Sequence, residues 1–361
     1  MTIGDLGKVV TGKTPSTKND ILWNGSIPFI TPKDIQGLKH IVRTERTVTQ
    51  VGANTVKGSI IPPNAICVSC IGNIGYAGMT TQWSITNQQI NSIIVNKEND
   101  ANFVYYLIRG LWKFFKNYEG QSTTLSILNK SQFSKIEVEI PSLEKQKKIA
   151  AILSSIDAKI EVNQKINDNL QQQAQAIYSS MFIDNPNPAW KHGHLSDLIT
   201  VKYGKDHKKL ADGIYPVYGS GGIMRYAERP LYNKESVLIP RKGTLNNVIY
   251  VNQPFWSVDT MFYTEMKIPN VAKFVYHFVK AKDLASMNAG SAVPSMTTDI
   301  LNAMEVVIPS APDLEEFESL VAPMYKAMEA NHVQSQVLSR MRDTLLPKLM
   351  SGEMDVSAVQ L

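Results

Sequence analysis

With two cysteines in 361 residues, Cys67 and Cys70, the chain cannot build a disulfide framework, and a reducing compartment, the cytoplasm, is the expected location. No apolar run approaches the roughly 18 residues a membrane span needs. The opening MTIGDLGKVV has no basic stretch followed by an apolar one, so no secretory signal is expected. Most catalytic signatures are missing too. There is no GxGxxG turn, no HExxH, no Asn-Pro-Pro-aromatic tetrapeptide and no persuasive acidic metal cluster. Asn185-Pro-Asn-Pro lacks the aromatic residue, and the six histidines form no triad setting. His192-Gly-His194 reads as a surface loop. Zinc would need two ligands beyond Cys67-Val-Ser-Cys70, and in a strand those two cysteines face opposite sides, as buried small residues would. No enzyme active site is legible, and neither cofactor nor metal is expected.

One catalytic pattern is present. Gly7-KVVT-Gly12-Lys13-Thr14 fits GxxxxGK[ST], whose glycine-rich turn cradles phosphates. Its surroundings do not suit nucleotide binding, since only six residues precede Gly7 and Pro15-Ser-Thr-Lys-Asn-Asp is loop composition where a helix should start.

What the chain has in quantity is itself. Residues 137–170 return as 305–338, with KIEVEIPS answered by AMEVVIPS. Glu137/Glu305, Val138/Val306, Ile140/Ile308, Pro141/Pro309, Ser142/Ser310, Glu161/Glu329, Asn163/Asn331 and Leu170/Leu338 are identical in a single register. The chain is therefore two copies of one unit, each a globular part followed by a long helix. Weaker matches link the globular parts: Ile3-Gly-Asp-Leu with Leu195-Ser-Asp-Leu, Trp83-Ser84 with Trp256-Ser257, Phe103-Val104 with Phe274-Val275, and Gly120 with Gly290. Loops between these anchors diverge, through drift or because the two modules read different targets.

Each globular part mixes short β-type runs, such as Ala65-Ile-Cys-Val-Ser and Ser236-Val-Leu-Ile-Pro, with one amphipathic helix. The helix of residues 102–118 and its counterpart 272–283 carry aromatics at core spacing. In the first long helix Ile149, Ile156, Asn163, Leu170 and Ile177 recur every seven residues, with Ile152 and Ile166 between them; Met324, Asn331, Leu338 and Leu345 form the partner seam. Neither helix can bury its stripe alone, so the two are expected to pack antiparallel, with Asn163 and Asn331 meeting near mid-helix and fixing register. Pro323 predicts a kink or the true start of the second helix. The fold class expected is α+β: two mixed α/β domains joined by two long antiparallel helices in an intramolecular coiled coil with pseudo-twofold symmetry. The boundaries fall at 1–142, 143–183, 184–310 and 311–361.

The formal charge of +5 is unevenly spread. Residues 1–140 hold 14 basic against 9 acidic side chains and 184–308 hold 14 against 11, while 309–361 hold 4 against 8. A polyanion touching the globular parts accounts for this, as does an ordinary solvated surface.

Over its whole length the chain resembles the specificity subunit of type I restriction-modification systems. IEVEIPSLEKQKKIAAILSSIDAKIEVNQ looks like that family's central region, and MEVVIPSAPDLEEFESLV with RDTLLPKLMSGEMDV like its distal copy. Residues 6–15 and Ile27-Pro-Phe-Ile-Thr-Pro-Lys-Asp-Ile35 look like the opening of a target recognition domain. The resemblance implies a non-catalytic reader of double-stranded DNA. Each recognition domain, 1–142 and 184–310, would read one half of a bipartite site, and the helices would set the spacer. Two modification (methyltransferase) subunits would dock on the helical region, with ATP-dependent restriction subunits adding cleavage, and no membrane is involved.

Candidate DNA contacts are Lys13, Thr14, Ser16, Lys18, Lys33, Asn73 and Gln88 in the first domain. The second offers Lys205, Lys208, Lys209, Arg241, Lys242, Thr244 and Asn246. Lys and Arg suit phosphates; Asn, Gln, Arg and Thr suit base edges. Lys13 aligns with Lys205 and Gly72 with Gly243, so those loops should occupy equivalent places. A non-catalytic coiled-coil scaffold joining two protein- or glycan-binding modules is the alternative.

Overall fold

The computed structural model describes residues 1–35, 37–120, 126–287 and 295–359, so Gly290 lies outside the described residues. It divides into two compact units, Met1–Lys165 with Ala330–Leu361, and Ile166–Glu329. Each long helix, Leu143–Ser179 and Ala311–Ser351, contributes residues to both units. Among the described residues no helix is long and apolar enough to cross a membrane.

In the first unit a five-stranded sheet runs in the order Gly7–Thr11, Ile90–Val95, Ile66–Ser69, Ala77–Thr80, His40–Ile41. A second sheet orders Arg46–Val48, Trp23–Ile30, Ser84–Thr86 and Ile60–Ile61. Ile66–Ser69 is buried along its whole length because both its faces are covered. Ile66 and Val68 enter the cluster with Phe103, Tyr106 and Ile149, whereas Cys67 enters the one with Val10 and Ile41. Cys70 lies with the first set, so the two cysteines do face opposite ways. Burial pushes their thiols up to about 12 and about 11.

The second unit repeats this frame. Its four-stranded sheet orders Ile199–Tyr203, Met261–Met266, Ser236–Pro240 and Ile249–Val251, beside a three-stranded sheet of Gly222–Ala227, Asp212–Gly219 and Trp256–Ser257. Pairing is kept residue for residue: Gly7 faces Val95 as Ile199 faces Met266, and Ser69 faces Ile90 as Pro240 faces Met261. One sheet register built twice is a duplication preserved in the backbone.

That register corrects one sequence match. Phe29 pairs in parallel with Ile85 as Val217 pairs with Trp256, so Trp256 stands where Ile85 does, and Trp83 is 60% exposed. A two-residue slip keeps side chains on the same face, so alternation could not reveal it. Two further expectations change. His192 and His194 lie not in a loop but in the strand Lys191–His194, paired with Glu305–Ile308. In the first unit the matching pair shrinks to Met1 and Thr2 against Val138 and Glu137. The aromatic helix is two helices, Ala101–Gly110 and Trp112–Gly120, the first capped by the Asp100 carboxylate on the Phe103 N–H at 2.8 Å.

Within each unit the long helices run antiparallel. In the first, Lys148 reaches the Ser357 carbonyl, Asp157 meets Arg342 and Asn163 meets Asn331. In the second, Asn167 donates to the Met328 carbonyl and the Tyr178 and Phe317 rings lie 6.2 Å apart. Ile166, expected between the seam positions, is 41% exposed, and Asn167 faces the partner helix instead. The second helix does not begin at Pro323. Leu314, Phe317 and Val321 anchor its first turns in the core, and Pro323 itself is exposed, so the amide it lacks falls on the solvent side.

Candidate nucleic-acid interface

At one end of the first sheet three loops are fastened together by backbone bonds. The strand Gly7–Thr11 ends at Gly12, whose N–H donates to Ile90 O at 3.1 Å, and a Cβ there would overlap the Asn87 carbonyl. Gly12 is thus a close-packing glycine within a sheet frame, not part of a phosphate cradle. The loop of residues 12–19 leaves beside residues 86–89, and the Thr14 hydroxyl donates to Gln88 Oε1 at 2.7 Å. Trp23 Nε1 donates to the Ser16 carbonyl at 3.0 Å, holding the far end of that loop. The third loop is tied in where Cys70 N–H donates to Gln89 O at 2.7 Å; Gly72 turns it with φ +77°. Lys13, Thr14, Ser16, Asn73 and Gln88 therefore share one end of the sheet. Lys18 is exposed on the same loop as Lys13. Lys33 sits apart on the turn Pro32–Ile35, with Glu45 at 3.9 Å.

The second unit builds the same end. Gly204 crowds the Val258 carbonyl as Gly12 crowds Asn87, and Lys205 N–H donates to Ser257 O at 2.8 Å. Arg241 stands where Cys70 does: its N–H donates to Thr260 O at 2.8 Å, and its carbonyl accepts from Met296, as Cys70 accepts from Leu128. Gly243 has φ +84°, matching Gly72, and the bridge Lys242–Ser295 matches Ile71–Ile127. Only glycine adopts such a turn cheaply, which is why both copies place it there. Lys205, Arg241, Lys242 and Thr244 thus lie on adjoining loops. The Arg241 guanidinium lies 5.3 Å from the centre of the half-exposed Tyr203 ring and donates to the Asp259 carbonyl. Asn246 is committed elsewhere, its amide donating to Asp283 and accepting from Ala285 N–H. Lys208 and Lys209 are exposed in the following turn.

Behind these loops, each unit is tied to the long helices by polar contacts that sequence reasoning missed. In the first, Tyr106 and Arg342 both donate to the buried Asp157 at 2.6 Å. Burial pulls Arg342 down, but the carboxylates of Asp343 and Asp157 outweigh it and hold its pKa above the usual value. Burial brings the nearby Lys39 ammonium down to about 8 against the upward pull of Asp157, Glu161 and Asp100. In the second unit His277 takes the place of Tyr106 and Tyr325 that of Asp157, joined at 2.9 Å; His277 Nδ1 lies 2.8 Å from Gln175. Glu161 binds the His40 ring and backbone N–H, and Glu329 accepts from Asn252. That Glu161 and Glu329 are identical in the repeat was the available signal. Asn163, buried on the helix seam, donates to Asn331 O, Gln334 and Ser335. No group of three or more His, Cys, Asp or Glu side chains suited to a metal ion occurs among the described residues.

Comparison with known proteins agrees with this architecture. The family profile described as the type I restriction modification DNA specificity domain matches residues 1–172 and 187–320. The type I restriction enzyme MjaIX specificity subunit of Methanocaldococcus jannaschii is 28% identical over 402 residues, covering 98% of this chain and 93% of its own. The HindI specificity subunit of Haemophilus influenzae is 39% identical over 156 residues, 42% of this chain and 34% of its own. A crystal structure of a type I restriction-modification S subunit from M. genitalium superposes with a TM-score of 0.55 at 19% identity, over 97% of this chain and 95% of that one, and shows the same fold. The chain therefore belongs to the type I restriction-modification DNA specificity family, as a subunit that recognises DNA sequence and leaves catalysis to others.

Proposed function

We propose that the chain reads a bipartite site in double-stranded DNA, residues 1–142 contacting one half and 184–310 the other. The observation that carries this reading is the doubled loop platform: one backbone frame presents Lys13, Asn73 and Gln88 in one copy and Lys205, Arg241 and Lys242 in the other. Equal frames bearing unequal side chains are what two half-sites of different sequence require. The helical segments 143–183 and 311–361 set the spacer and receive two modification (methyltransferase) subunits, and restriction subunits join that assembly. Lysines anchor phosphates; Thr14, Asn73, Gln88, Arg241 and Thr244 are the side chains offered to base edges. Methylome sequencing of cells carrying this chain with its modification subunit tests the whole reading. Exchanging residues 1–142 for another recognition domain should change one half-site only, and lengthening both helices by one turn should change the spacer. A methylome unaffected by either exchange would refute it.

A further inference from the structure

Each loop platform is fastened by an indole N–H, and the two copies use different tryptophans for it. In the first unit Trp23 Nε1 donates to the Ser16 carbonyl at 3.0 Å. In the second, Trp256 Nε1 donates to the Lys205 carbonyl at 2.9 Å. Trp256 stands where Ile85 does in the strand register, so Trp23 reaches its loop from another strand. A hold built twice from unlike residues makes these indoles part of the platform.

The first indole carries something more. The Arg46 guanidinium carbon lies 3.6 Å from the centre of the Trp23 ring, which Phe29 meets edge-on at 5.0 Å. Arg46 faces Phe29 across the strands Trp23–Ile30 and Arg46–Val48, so the two side chains share one side of that sheet. Trp23 is 6% exposed, whereas Arg46 is exposed. So close an approach requires the planar guanidinium to lie along the ring, because an N–H aimed at the indole would hold the carbon farther away. Its N–H groups, which lie in its own plane, are therefore directed past the ring. Among the described residues no hydrogen bond or ion pair engages them.

Other arginines of the chain are spent. Arg109 and Arg342 meet Asp343. Arg225, which faces Val217 as Arg46 faces Phe29, donates to the Leu210 carbonyl and to Asp212. Glu45, the acid next to Arg46 in sequence, lies 3.9 Å from Lys33. The second unit has its own stacked arginine, Arg241 on Tyr203, at the place that buried Cys70 occupies in the first. Each domain thus lays one arginine against an aromatic ring beside its platform loop, from positions that are not equivalent.

We infer that Arg46 is a further DNA-contacting residue of the first recognition domain, its guanidinium taking paired acceptors of the duplex: the O6 and N7 edge of a guanine, or two phosphate oxygens. The inference rests on the DNA-reading function proposed above. A planar fork of donors matches either pair. Stacking on Trp23 orders the long side chain before the duplex arrives, so little rotamer freedom remains to be lost on binding.

The test uses the complete chain in complex with its modification subunit. Arg46→Met keeps an unbranched stem over Trp23 and removes the charge; Arg46→Lys keeps stem and charge and removes the fork. Sites selected from a random duplex library, and affinity for a fixed duplex as a function of salt, are compared with those of the wild type. A guanine contact appears as a preference for guanine in one half-site that falls roughly 5- to 150-fold in Arg46→Met and is only partly regained in Arg46→Lys, with the other half-site kept. A phosphate contact appears as an unchanged consensus and a log-log salt slope shallower by about 0.9 in Arg46→Met, with the wild-type slope in Arg46→Lys. Consensus and slope both unchanged in Arg46→Met overturn the assignment and leave Arg46 as a cover for the indole. A wild type that enriches no sequence would instead remove the DNA-reading function itself, and this contact with it.

Discussion

The side-chain amide of Asn163 donates to the backbone carbonyl of Asn331 at 3.3 Å, so two asparagines 168 residues apart, one from each copy of the repeat, meet across the helix pair. A polar group at such a place gives up stability for register, because only one alignment supplies its partners. Replacing both residues by cysteine should allow an intramolecular disulfide under mild oxidation. The natural Cys67 and Cys70 are buried with raised thiol pKa values and should not compete. The readout is a gel-mobility shift reversed by reductant, absent when only one of the two cysteines is introduced. A helix pair shifted by one heptad would give no crosslink.

Asp157 is 3% exposed and accepts from both Tyr106 and Arg342, so it couples a recognition-domain helix to both long helices of its unit. Asp157→Ala removes the buried partner of Arg342, leaving its guanidinium only Asp343, and leaves the Tyr106 hydroxyl without its acceptor; it should cost roughly 3–5 kcal/mol in that unit's unfolding free energy. Replacing both ionic partners, Asp157→Leu with Arg342→Leu, should recover most of the loss, since the desolvation of both charges is then avoided. Denaturant titration of the full chain and its variants measures the difference. Equal damage from the single and double variants would show that packing, not charge, governs the site.

The equivalent place in the second unit predicts a pH effect. Burial draws His277 down to about 4 from its ordinary 6.5, while Gln175 and Tyr325 hold the neutral ring. Between those pH values the unfolded chain binds the proton and the folded chain does not. Stability from this group is therefore complete above pH 6.5 and declines as the pH falls toward 4, by up to about 3 kcal/mol. Melting temperatures of wild type and His277→Gln from pH 7.5 to 4.5 should converge under acid, the variant losing less. Parallel acid profiles would place the sensitivity elsewhere.

These buried contacts mark the limit of what was legible beforehand. Periodicity and identity in the repeat exposed the duplicated helices, the meeting of Asn163 with Asn331 and the equivalence of the Gly72 and Gly243 turns, because helix spacing and a positive φ leave traces in sequence. The Trp83 match failed because a strand slipped by two residues looks the same. Ile166 misled because the seam turns polar at Asn167, where hydrogen bonds replace apolar packing. The paired use of Tyr106 with Asp157 and of His277 with Tyr325 could not be read, since neither pair shares a residue type.

If the paired loop platforms carry phosphate contacts, salt dependence should count them. Log-log plots of DNA affinity against salt fall with a slope of about −0.9 per neutralised phosphate. Lys205 and Lys242 are exposed, and Arg241 stacks on Tyr203 at the same end of the sheet. Exchanging all three for alanine should make the slope shallower by up to about 2.7, with Lys13→Ala in the other unit adding about 0.9 more. Asn246→Ala should leave the slope unchanged, because its amide is spent on Asp283 and Ala285 and carries no charge. The comparison is made on the intact complex with a fixed duplex. A slope unmoved by the triple exchange would separate these loops from the phosphate backbone, and would shift the search for cationic contacts toward the exposed Lys208 and Lys209.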